Sequence, residues 1–244
     1  MANRALKRDA AKARRPLATL VGFTKPMPAV TFIDTNILKF AASELFRLHP
    51  RLETIKWGPT TVELVVHDEV VVNPNDRIAN PTLKYEAELL PKVAALGKIG
   101  VLDFVQTVEA LYETWGIPNM DSESGPFYGA QIRLLKDIPF QYGRVMGGLG
   151  IDGKAEQLRF INGIRNPRFE AIQRASGAFQ GSNNPPNSNQ LVDAFHLWCA
   201  ELAGCTYFLS LDFKLQKSLA QSKIELRVQI VRPSELLLAI EPGP

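Results

Sequence analysis

Cysteine is nearly absent: the 244 residues include only Cys199 and Cys205. The pair has neither C-x-x-C spacing nor histidine partners at zinc-site spacing. A disulfide framework and a cysteine zinc centre are therefore excluded, and two free core thiols in a reducing compartment are expected. Long apolar runs are missing too. None approaches the roughly 18 residues that a membrane helix needs, and no secretory apolar region stands at the start. A cytoplasmic protein with no membrane partner is the expectation. A large excess of one charge is also lacking. The net charge of +3 permits a nucleic-acid partner without arguing for one. No internal repeat is visible, so the chain reads as one large α/β domain with insertions or as two small ones.

What is present is an alternation of strand and helix signals. Val30-Thr31-Phe32-Ile33 reads as a buried strand, followed at once by Asp34, Thr35 and Asn36 and then by an apolar-periodic run from Ile37. Gly100 to Thr107 is the next strand candidate, running into a helix from Val108 that Thr107 can cap. Gln190 to Ala203 is an amphipathic helix that Ser188 or Asn189 caps and Gly204 stops. Thr206 to Leu211 is a buried strand ending on Asp212, and Val228 to Val231 is a last strand before Pro233 and a short helix. Between these blocks, 60–72 fits two short strands around His67-Asp68-Glu69, and Asn73 to Asp76 is a turn. Residues 81–97 have helical spacing that Pro91 interrupts. Helical pieces are expected near 127–137 and 153–164, and 182–188 is a loop. Alternation of this kind predicts a parallel sheet covered on both faces.

Four acids share one kind of position. Asp34 and Asp212 end strands, and Glu109 and Asp193 sit in the first turns of helices. The carboxyl ends of parallel strands converge on one side of an α/β sheet, where ligands bind. Carboxylates gathered there raise one another's pKa. A bound divalent cation resolves that repulsion, and oxygen-only ligation selects Mg²⁺ or Mn²⁺. Taken singly, Asp34 reads equally well as a helix cap.

Four short motifs carry a resemblance. Phe32-Ile33-Asp34-Thr35-Asn36, Thr107-Val108-Glu109-Ala110-Leu111, Asp193-Ala194-Phe195-His196 and Leu209-Ser210-Leu211-Asp212 resemble, in order, the four acidic motifs of PIN-domain proteins. The resemblance implies a three-layer α/β/α sandwich with a central, mostly parallel sheet and helical insertions. It implies a metal-dependent endoribonuclease that hydrolyses RNA phosphodiester bonds, as in toxins of toxin–antitoxin pairs. Asp34, Glu109, Asp193 and Asp212 would coordinate the Mg²⁺ or Mn²⁺, with Asn36 and Ser210 as polar supports. An antitoxin-like protein partner and a homo-oligomer are further implications. The domain would span 28–240 after a basic segment, 1–27, with insertions at about 47–98 and 116–188, since the gaps between motifs exceed those of compact toxin members. The alternatives are a PIN-like binding or scaffold protein without cleavage, and a structure-specific DNA nuclease. Of the nearby acids Glu86, Glu88 and Glu113, none has Glu109's strand and Thr107 before it.

Other signals are weaker. Arg144, Lys154, Arg165 and Arg168 are candidates to hold an RNA backbone, against the plainer reading of a solvated helical surface. Arg4 to Arg15 is either a solvated terminus or an arm that contacts phosphates. Gly148 to Ala155 lacks the hydroxyl of a phosphate-binding loop, since Ala155 stands in its place. His196, one turn after Asp193, reads as a surface or supporting residue, and His49 and His67 carry no partner pattern. Tyr112, Trp115, Phe127 and Tyr128 are expected in core packing rather than stacked on bases.

Overall fold

The computed structural model describes residues 27–42, 45–115, 126–135, 152–179 and 187–241. The β-branched and aromatic run of the first motif forms β1 (Ala29–Ile33). It is flanked by β4 (Leu102–Gln106) and β6 (Tyr207–Leu209), with β5 (Ile132–Leu134) and β7 (Gln229–Val231) at the edges. All four pairings are parallel. The order β5-β4-β1-β6-β7 makes β1 the point where the chain reverses its direction of travel across the sheet. Crevices outside the carboxyl ends of strands at such points are where open α/β sheets bind ligands.

Successive residues of β1 serve opposite faces, as the pleat requires. Phe32 packs into a cluster with Phe195, Trp198 and Phe208, its ring stacked on Phe208 at 5.2 Å and 7°. Ile33 packs on the other side with Leu38, Val93, Phe104 and Leu209. The first cluster is covered by α5 (Gly153–Gly163), α6 (Pro167–Ser176), α7 (Ser188–Leu202) and α8 (Phe213–Gln221). The second is covered by α1 (Thr35–Ala41), α2 (Pro81–Glu88), α3 (Leu90–Lys98) and α9 (Pro233–Ile240). Helices therefore lie on both faces of the sheet. α7 is the most enclosed, burying ten residues from Leu191 to Glu201, which is why its sequence is apolar nearly all round. α3 lies so close to β4 that a Cβ at Gly97 would collide with the Phe104 ring.

Several elements differ from the sequence reading. Residues 60–72 form one strand, β3 (Thr60–Val72), paired antiparallel with β2 (Leu45–Trp57). The two make a separate ribbon, closed by Gly58 at φ +64° and Pro59. The span 47–98 thus divides: the ribbon stands apart from the sheet, while α3 buries Leu90, Val93 and Ala94 in the core. Asn73 to Asp76 leads into a single 3-10 turn. No helix begins at 127, because Tyr128 and Gly129 both have positive φ, which L-residues in a helix do not adopt. That turn feeds strand β5 instead. α7 starts at Ser188 with Asn187 as its cap, so Asp193 lies beyond the first turn. α6, unread in the sequence, has a full start signal: Asn166 accepts from the N–H groups of Arg168 and Phe169, with Pro167 at the first position. Among the described residues no helix is long and apolar enough to cross a membrane.

Arg168, a candidate phosphate contact, is a structural residue. Its guanidinium donates to both oxygens of Glu201 at 2.7 and 2.6 Å, and to the Glu225 carbonyl at 2.6 Å. Glu201 also accepts from the Arg227 N–H at 2.9 Å. This joins α6, α7 and the segment before β7 around a carboxylate whose side chain is only 2% exposed. Arg168→Ala is expected to lower stability by about 3 kcal/mol by leaving that carboxylate buried without its partner. The thermal midpoint should fall by roughly 6–12 °C. A fall of under about 2 °C would show the pair to be no more than a surface contact.

Candidate functional site

The chain leaves β1 at Asp34, whose N–H donates to the Leu209 carbonyl of β6 at 3.1 Å. This clamps the start of α1 against the neighbouring strand. Asp34 stands where a cap would, yet its side chain makes no capping hydrogen bond. Its Oδ2 instead accepts from Ser210 Oγ at 2.7 Å and from Asn36 Nδ2 at 2.6 Å. Asn36 Oδ1 accepts from the Leu211 N–H at 3.0 Å, and Ser210 Oγ accepts from the Asp212 N–H at 3.0 Å. Two loops that follow adjacent strands are thereby tied together through one buried carboxylate. Asn36 and Ser210, which the resemblance implied as polar supports, thus both donate to Asp34.

Asp212 does act as a cap. Its Oδ1 accepts from the N–H groups of Lys214 and Leu215 at 2.8 and 3.0 Å, starting α8. Asp193 reaches the same place from α7. Asp34, Asp193 and Asp212 line one cleft of about 850 Å³, together with Thr35, Asn36 and Asn189. The fourth acid of the cleft is Glu113, on α4 (Val108–Thr114). Its Oε2 accepts from Thr35 Oγ1 at 2.7 Å.

Glu109 lies elsewhere. It is 1% exposed and does not line the cleft. It sits close enough to His196 and Cys199 to act on both through its charge. Thr107 caps the helix through the Ala110 N–H at 3.1 Å, so the strand-to-helix junction is as expected. The cleft opens one turn farther along, about 5.4 Å on. The sequence favoured Glu109 for the strand and Thr107 before it, but residues spaced i and i+4 share a helix face, so that pattern does not separate it from Glu113.

The acids act on one another. Burial pushes the Asp193 carboxyl up to about 8, and the charges of Asp34, Asp212 and Glu113 add to the rise. Asp34 is raised as well, chiefly by burial, against the opposing pull of His196 and the Ser210 hydrogen bond. Glu113 is raised by burial, with Thr35, Gln157 and Lys154 opposing. His196 is fully buried behind the cleft, 5.8 Å from the Phe32 ring, and burial lowers its pKa. It is neither a surface residue nor a lining one.

Positive charge in the cleft comes from Lys39 and Lys154. Among the described residues, Lys154 is the one basic candidate that lines the cleft with the acids. Arg165 turns back on its own helix end, donating to the Asn162 carbonyl at 2.7 Å. Arg144, most of the near-miss loop from Gly148, and the basic residues 4–15 lie outside the described residues. Of the aromatic candidates, Phe127 is core, edge-on to Phe104 at 5.1 Å. Tyr128 packs beside it. Tyr112 and Trp115 instead line the cleft.

No family model, curated protein or solved structure matches this chain.

The donor set itself tests whether a metal ion suits the cleft. Its acids are carboxylates only, with no cysteine or histidine among the lining residues. Oxygen donors of this kind take hard divalent ions. Burial first, and the neighbouring carboxylates second, raise the Asp193 carboxyl, and a cation would offset both. Among the described residues, no three histidine, cysteine or acidic side chains already stand in a metal-holding arrangement. Ligation by three of the acids therefore entails side-chain rotation.

The sign of the pH dependence follows from Asp193. The unfolded chain loses this proton near the ordinary value of 3.8, and the folded chain holds it to about 8. Between those values the folded state binds the extra proton, so this group's contribution to stability falls as pH rises and levels off above about 8. Without divalent cations, Asp193→Asn is expected to raise the thermal midpoint at pH 8 and to change it much less at pH 5. An equal shift at both pH values would contradict the buried acid cluster.

Proposed function

We propose that this chain is a PIN-like nuclease that hydrolyses phosphodiester bonds, with RNA as the substrate, using Mg²⁺ or Mn²⁺. The observation that carries this reading is the convergence of Asp34, Glu113, Asp193 and Asp212 in one cleft at the reversal point of a parallel sheet. Burying several carboxylates together is unfavourable unless a cation or a function requires it. That argument favours a nuclease over a binding module of the same fold.

In this reading Asp34, Glu113, Asp193 and Asp212 would hold the cation, with Glu113 taking the place first assigned to Glu109. When bound, a divalent cation supplies a water of lowered pKa and stabilises charge on the scissile phosphate. The chain's own groups do the rest. Ser210 and Asn36 fix the orientation of Asp34 through its Oδ2. Thr35 holds Glu113. Lys39 and Lys154 set positive charge beside the acids, where phosphate oxygens on either side of the reacting group would lie. No covalent nucleophile is required.

Cleavage of a labelled single-stranded RNA, with a matched DNA alongside, tests the reading. Wild type should cleave the RNA with Mg²⁺ or Mn²⁺ and not with EDTA. Ser210→Ala should weaken metal affinity by about 10- to 100-fold, the usual loss when the partner of a ligating carboxylate is removed. Asp34→Asn should abolish turnover. Glu113→Gln should lower turnover far more than Glu109→Gln; the reverse ranking would return the fourth position to Glu109. Cleavage of DNA alone would make this a DNA nuclease. Absence of both cleavage and metal binding would leave a binding module.

A further inference from the structure

We propose that Tyr112 and Trp115 form a base-stacking platform at the mouth of the acid cleft, so that the strand engaged there is unpaired. The inference rests on the nuclease reading and goes beyond it by naming the side chains that take a base.

Both rings come from the end of α4. The Trp115 N–H donates to the Tyr112 carbonyl at 3.2 Å, closing the helix. The rings meet edge to face, with centroids 5.3 Å apart and planes at 64°. The pair is open to water on its Trp115 side, with Tyr112 half-buried, unlike the buried edge-to-face pair of Phe104 and Phe127. Trp115 is 71% exposed. An exposed tryptophan forgoes the burial that usually places this residue inside. Its site is shared with chemistry: Tyr112 and Trp115 line the same cleft as the four acids, Lys39 and Lys154. Glu113 lies between them in sequence, so the helix end that delivers an acid also delivers the rings.

One cavity thus offers three kinds of group at once. The acids suit a cation, the lysines suit phosphate oxygens, and the rings suit a flat apolar face. A nucleotide unit presents phosphate and base together. Aromatic stacking of bases is tolerant of sequence because every base has such a face. It requires a base that is not stacked and paired within a duplex. Lys39, from α1, and Lys154, from α5, come from different elements than the rings, so a backbone can be held while its base turns onto Trp115.

The test is oligonucleotide binding in an Asp34→Asn background, which prevents turnover. Three probes are compared: a single-stranded oligomer, a base-free oligomer with the same number of phosphates, and a duplex. RNA and DNA versions of each are included. The platform predicts that the single strand binds more tightly than the base-free oligomer by about 5- to 150-fold, the range for stacking one base. Trp115→Ala should bring the single strand down to the base-free level and leave base-free binding unchanged. Trp115→Phe should retain most of the difference. The thermal midpoint of Trp115→Ala should match that of its parent, since the ring is exposed.

Equal weakening of both oligomers by Trp115→Ala, or none, overturns the platform. So does a duplex that binds as well as the single strand. The two readings fail separately. A wild-type protein that cleaves RNA with unchanged KM in Trp115→Ala loses the platform and keeps the nuclease. A protein that neither cleaves nor binds any probe loses both.

Discussion

The hydrogen bond from Ser210 Oγ to Asp34 Oδ2, 2.7 Å long, joins the two halves of the site. Asp34 ends the central strand and Ser210 follows the strand beside it. The same hydroxyl accepts from the Asp212 N–H, and Asn36 bridges back to Leu211. Thr35, next to Asp34 in the chain, extends the tie to Glu113. The Ser210 hydrogen bond keeps a buried carboxylate in one orientation, and that carboxylate helps push Asp193 up to about 8. Packing on both faces of the sheet holds the two strand ends together, so the chemistry of the cleft depends on the core beneath it.

The constraint is electrostatic at heart. A carboxylate removed from water favours its protonated form, and a neighbouring carboxylate reinforces that preference. The cleft counters the effect only in part, through Ser210, Asn36, Thr35 and the N–H groups of Lys214 and Leu215 as donors, and Lys39 and Lys154 as cations. Glu201 shows the other solution. That carboxylate is as deeply buried, but it receives a bidentate guanidinium and a backbone N–H. Its charge is fully answered within the fold. The charge of the cleft is answered only in part, and the proposal of a bound cation starts from that difference.

The legible part of the molecule was the part governed by local pattern. Strand β1 followed by Asp34, and the run from α7 through β6 to Asp212, each combine an apolar period with an acid at its end. Those signals pointed to Asp34, Asp193 and Asp212, which line one cleft, while Asn36 and Ser210 came from the resemblance. Glu113 was harder, because its helix carries two acids one turn apart and only the depth of the cleft distinguishes them. The ribbon was obscured by its own composition. Leu45–Trp57 mixes charges with Pro50, and Thr60–Val72 lacks a clean alternation, because much of both faces is exposed and neither has to be uniformly apolar. Strand β5 was masked by a turn that only the positive φ of Tyr128 and Gly129 reveals. The fate of Arg168 was equally hidden, since its partner Glu201 is 33 residues away.

Titration calorimetry of Mn²⁺ into the wild-type protein at pH 7, in buffers of different ionisation enthalpy, tests the central claim most directly. Carboxylates that share a proton must release it when a cation binds among them. The account predicts saturable binding with release of about one proton per site, and release that disappears in Asp193→Asn. Binding with no proton release, or no binding at all, would contradict the proposal that a cation enters this cleft and displaces the Asp193 proton.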